Sequence, residues 1–112
     1  TQERAPTGFV FMEKSDELLL QKAERLTDIE RWREAVPLLT KLIAKNPGHF
    51  EANCLLSLCY VHLKDLRTAL EYAEKAIASE PLEEMGHRLR SAVLTEQGRK
   101  EEALKSAEEA VR

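Results

Sequence analysis

The chain has 112 residues, with 17 Lys and Arg against 20 Asp and Glu and a formal net charge of −3, so it is long enough for one domain and too short for two ordinary ones. That balance excludes the concentrated basic surface a nucleic-acid partner requires, and no apolar run approaches the about 20 residues of a membrane-spanning helix. With 5% aromatic residues and four glycines among abundant Ala, Leu, Glu, Lys and Arg, the composition is that of packed helices rather than of a sandwich or barrel.

In chain order, residues 1–15 come first as a tail in which Pro6 and Gly8 precede Phe9, Val10, Phe11 and Met12, a pattern that reads as extended or turned. Such a tail is ordered only where something ties it down. Phe9 and Phe11 are therefore expected to dock, either in cis as a cap on the first helices or in trans on a neighbouring copy. Helical periodicity then predicts six helices. The first spans 16–28, with Ser15 as its N-cap and Asp16 and Glu17 in its first turn. The second spans 32–45 and contains Pro37, which should bend it or loosen its first turn. The others are expected at 50–62, 66–79, 83–97 and 100–112. The chain begins at Thr1 and ends at Arg112 within a helical pattern, and it reads as a piece of something longer.

Aligned on Pro47 and Pro81, the sequence repeats: residues 16–49 lie over 50–83, and 84–112 lie over both. A small residue stands at Ala23, Ser57 and Ser91, and a large one at Leu26, Tyr60 and Leu94. Alanine recurs at 35, 69 and 103, and the sets Leu39/Ala73/Ala107 and Leu42/Ala76/Ala110 complete one face of each second helix. Small against large is what lets two antiparallel helices approach closely. Ala69, Ala73 and Ala76 in "RTALEYAEKAIASEP" are thus expected at a helix contact.

This pattern resembles the tetratricopeptide repeat (TPR) family over residues 16–112, with units at 16–49, 50–83 and 84–112, the third lacking its last residues. The departures are Glu24 after Ala23, leucines at 39 and 42 where alanine is usual, and no glycine in the first two helix-to-helix turns, against Gly98 in the third. The resemblance implies an all-α, right-handed superhelical solenoid of about six antiparallel helices, and a protein-binding scaffold.

No catalytic or cofactor constellation emerges. Cys59 and His62 share a helix face at i, i+3, but two ligands without a further motif do not make a metal site. The serines lack a nucleophile elbow, and no Gly-rich phosphate loop exists. Cys54 and Cys59 stand five apart on one helix, about 7.5 Å along its axis and on different faces, so an intrachain disulfide is not expected. Two free thiols point toward a reducing, cytoplasmic compartment. Glu71 with Lys75 and Glu101 with Lys105 fit i, i+4 surface pairs, and Trp32 fits a packing role. The expectation is a non-enzymatic module.

Solenoids bind extended ligands along a concave wall built by the first helix of each unit. The family's groove-facing positions fall here on Glu17, Leu20, Glu24, Thr27 and Asp28, then on Glu51, Cys54, Leu55, Leu58, Val61 and His62, and finally on Met85, Arg88, Leu89, Ala92, Thr95 and Glu96. One branch of the family clamps the acidic C-terminal tails of heat-shock chaperones with Lys, Asn and Arg. The matching residues Leu20, Glu24, Leu55, Met85 and Leu89 cannot do so. The wall is instead expected to offer an apolar centre of Leu20, Cys54, Leu55, Leu58, Met85 and Leu89 rimmed by Glu17, Glu24 and Glu51. It would suit an apolar or amphipathic peptide, with basic flanks meeting the acidic rim. Some of these leucines are expected to be buried by neighbouring units. The alternative is self-association, through the tail on a neighbouring copy or through the third unit, whose Ala107/Ala110 face has no capping helix after it.

Overall fold

Small residues at three- and four-residue spacing fix how closely the helices pack, and the helices follow the expected order. The computed structural model describes residues 13–111; Phe9 and Phe11 lie outside them. It contains α1 (Lys14–Asp28), α2 (Trp32–Lys45), α3 (Phe50–His62), α4 (Leu66–Ser79), α5 (Glu84–Glu96) and α6 (Lys100–Ala110), and no strand among the described residues. Each helix packs on the next in sequence, and α1 also meets α3, and α3 meets α5. No such approach joins α2 to α4 or α4 to α6. The odd-numbered helices are therefore crowded on one side and the even-numbered ones splayed on the other, which curves an elongated stack of 53 × 31 × 19 Å.

The turns inside the three units are the same structure repeated. In each, the first helix ends in a Schellman motif: the N–H groups of Arg31, Asp65 and Arg99 donate to the carbonyls of Leu26, Tyr60 and Leu94 at 2.8, 2.9 and 2.8 Å. The residue before each donor is left-handed, with φ of 62° at Glu30, 66° at Lys64 and 80° at Gly98. Glycine is absent from the first two turns, yet the backbone keeps the conformation and absorbs the strain.

One local expectation is corrected. α1 starts at Lys14 with Glu13 as its N-cap, so Ser15 lies inside the helix. Pro37 lies within α2 without ending it. Pro37 is exposed, so the carbonyl of Arg33, deprived of its helical donor, is on the solvent side where water can serve it.

One core cluster joins α1 and α2 to α3 through Leu20, Ala23, Ala35, Leu39, Leu42, Ala52, Leu56 and Cys59. A second joins α3 and α4 to α5 through Cys54, Ala73, Ala76 and Leu89. Ala69, Ala73 and Ala76 are all fully buried, as the spacing required. Gly86 goes further: a Cβ there would meet Ile77 Cγ1 at 3.0 Å and Ile77 N at 3.3 Å, so α5 rests on the backbone of α4. The polar side chains that tie the units together also recur. Asn53 Nδ2 donates to the carbonyls of Pro47 and His49 at 3.0 and 2.9 Å, and one unit later His87 Nε2 meets the Pro81 carbonyl at 2.8 Å.

Candidate functional site

The inner side of the curve is formed by α1, α3 and α5, and the residues expected on it divide into two groups. Leu20, Cys54 and Leu89 are buried to 8, 7 and 8% exposure. They close the seams between units and offer little to a ligand, because each unit's first helix must pack against the next before any wall exists. Leu55 packs on the first core cluster and Leu58 on the second, both half-buried, and Val61 is also half-buried. Met85 is 49% exposed. The accessible apolar surface is therefore the α3 row Leu55, Leu58 and Val61 together with Met85.

The flanks are unequal. Glu17, Glu24 and Asp28 on α1 and Glu51 on α3 are exposed, while α5 carries the exposed Arg88, whose Nη2 lies 3.1 Å from Glu84 Oε1. Thr27, a groove position by resemblance, is buried and donates its hydroxyl to the Glu24 carbonyl at 2.8 Å. At the lip of the wall, around the α2–α3 turn, a hollow of about 420 Å³ is lined by Glu13, Asp16, Phe50, Glu51 and Glu80 among others. Its Asp16 carboxylate accepts from Lys45 Nζ at 3.1 Å, which pins the end of α2 to the start of α1.

Chemistry other than binding finds no footing in the side chains singled out. Burial pushes the Cys54 thiol up to about 12, with help from the Glu51 charge, and the Cys59 thiol up to about 11. Both cysteines are free and protonated at neutral pH, so neither is a ready nucleophile or metal ligand. His62 is exposed and stacks flat on Trp32, with ring centroids 4.1 Å apart and planes 3° from parallel, whereas Cys59 is sealed in the core. The i, i+3 pair is thus divided between the core and a ring stack. Trp32 packs against the first cluster.

Sequence reasoning missed the left-handed Glu30 and Lys64 and the anchors Asn53 and His87. The anchors carried a signal: they are polar residues one repeat apart at a position otherwise enclosed.

Among proteins of known structure, a MamA chain (RS-1, ArsTM double mutant) superposes with a TM-score of 0.82 at 21% identity, covering 88% of this chain and 55% of that one. MamA from AMB-1 gives 0.78 at 25% identity, with 87 and 57% covered. This chain thus spans little more than half the length of those MamA chains. The second TPR of Spaghetti (RPAP3), bound to the HSP90 peptide SRMEEVD, gives 0.81 at 14% identity, with 88 and 91% covered. No curated relative matches the sequence. The tetratricopeptide repeat family matches residues 26–93. That match spans more than half of the chain and agrees with the three repeated turns and seams described above: this chain belongs to the tetratricopeptide repeat family, and its fold is that family's scaffold for protein interaction.

Proposed function

We propose that the concave wall binds an apolar or amphipathic segment of a partner protein, its apolar side chains over the α3 row and Met85 and its basic residues toward the carboxylates of α1. The observation that carries this reading is the half-buried row Leu55, Leu58 and Val61 lying between the helix that carries the exposed carboxylates Glu17, Glu24 and Asp28 and the exposed Met85. Apolar surface gives such a site its affinity, and the asymmetric charge gives it orientation. The RPAP3 domain shares the fold and holds an acidic peptide. Here Glu24 stands where a carboxylate clamp would need a cation, which favours the opposite ligand charge.

The test is selection from a random peptide display library on the full chain, followed by affinity measurement. Enriched peptides are expected to combine Leu, Ile, Phe or Met with Lys or Arg, and Met85→Glu should weaken them at least tenfold while leaving the thermal midpoint in place. Leu58→Glu is a poorer probe, because Leu58 also packs the seam between the second and third units. Enrichment of acidic peptides, or indifference to Met85→Glu, would sink the reading.

A further inference from the structure

Glu13, the first described residue, lines the hollow of about 420 Å³ at the lip of the concave wall together with Phe50 and Glu51, which open α3. Its backbone is extended, with φ −73° and ψ 159°. The chain that precedes it therefore joins the fold beside the start of the α3 row. That chain carries four consecutive apolar residues, Phe9, Val10, Phe11 and Met12, and from Ala5 to Met12 it has no charged residue to set against the acidic α1 edge.

The lengths agree. Phe11 and Phe9 precede Glu13 by two and four residues, roughly 7 and 13 Å of extended chain. Leu55, Leu58 and Val61 follow Glu51 by four, seven and ten residues, roughly 6, 10 and 15 Å along α3. Alternation puts Phe9 and Phe11 on one side of an extended chain. Running along α3 from its start, such a chain brings Phe11 level with Leu55 and Phe9 level with the stretch from Leu58 to Val61. The other apolar side chains near this end make no continuous surface: Leu18 in α1 and Ile29 at its C-cap are 64 and 61% exposed, but the exposed Lys22 and Arg25 stand between them.

We propose that residues 9–12 lie in cis on the concave wall, Phe11 over Leu55 and Phe9 over Leu58 and Val61, as an intramolecular competitor of the partner segment. The competition rests on the wall being the ligand site, whereas the contact itself does not. A segment on so short a tether acts at an effective concentration of about millimolar, so two phenylalanines over a half-buried apolar row hold the site against weak ligands and yield it to strong ones.

The experiment attaches a nitroxide to the full chain through Val10→Cys, on the side opposite Phe9 and Phe11. Cys54 and Cys59, buried and with thiols raised to about 12 and 11, do not take the label. Amide signals of Leu55, Leu58, Val61 and Met85 are expected to broaden, and to recover when Phe9→Ser and Phe11→Ser are added. A mixture of nitroxide-bearing chain with isotope-labelled chain lacking the nitroxide should show no broadening. Broadening in that mixture would overturn the cis contact in favour of a neighbouring copy, and broadening confined to α1 would overturn the contact altogether. A peptide selected on the wall then tests the competition. The chain with Phe9→Ser and Phe11→Ser should bind it about threefold tighter or more, because removing the competitor enlarges the fraction of open sites. Unchanged affinity, with Met85→Glu still weakening the peptide, would overturn the competition and leave the wall reading standing. Nitroxide broadening along α3 with a peptide indifferent to Met85→Glu would sink the wall reading and leave the cis contact standing.

Discussion

Glu30 and Lys64 occupy the conformation that Gly98 occupies in the third unit. An L-residue there costs roughly 1–2 kcal/mol relative to the right-handed region, partly offset by the extra chain entropy a glycine loses on folding. Lys64→Gly and Glu30→Gly should therefore each stabilise the domain, by about 0.5–1 kcal/mol, and denaturant midpoints will show it; an unchanged or lowered midpoint would mean that these side chains contribute contacts of their own. The thiols make a second prediction at this scale. With Cys54 raised to about 12 and Cys59 to about 11 from the ordinary 9.0, iodoacetamide at pH 8 should leave both unmodified in the native chain and modify both in denaturant. The linkage follows in sign. Above pH 9 the unfolded chain loses thiol protons that the folded chain retains, so stability should fall as the pH climbs from 9 toward 12.

The helices were legible in the sequence because their signals are local and redundant. The 34-residue spacing of Ala35 and Ala69, the stops at Pro47 and Pro81, and the 3.6-residue periodicity all pointed to the same helices, and α2, α3 and α4 end where the periodicity ends. The seams were less legible. Leu20, Cys54 and Leu89 follow the groove register of the family, but whether such a residue faces a ligand or the next unit depends on how tightly the first helices crowd, a tertiary distance that no local pattern encodes. Ser15 illustrates the same limit, since capping chemistry alone did not fix where α1 begins. At this scale Ala69→Leu, at a fully buried site whose carbonyl accepts from Ser57 Oγ at 2.8 Å, should destabilise by about 1–3 kcal/mol through overpacking. Gly86→Leu should do at least as much, because a Cβ there meets Ile77 Cγ1 at 3.0 Å and the Ile77 backbone N at 3.3 Å, and the backbone cannot swing aside. Thermal midpoints of both variants check the register.

Across the whole molecule, the crowding of α1, α3 and α5 against the splay of α2, α4 and α6 curves the stack and gives it the wall proposed to take ligands, and the uneven dress of its edges is what would orient them. The acidic α1 edge was visible from Glu17, Glu24 and Asp28 alone. The reduced apolar area was not, because half of the residues forming the expected apolar centre, Leu20, Cys54 and Leu89, turn out to be buried. The most direct measurement is amide chemical-shift mapping of the full chain titrated with a peptide selected on it. Perturbations are expected along Glu17–Asp28, Leu55–Val61 and around Met85, on the inner helices. Perturbations gathered instead on α2, α4 and α6 would show that ligands bind the convex side, and the concave-wall account would fail.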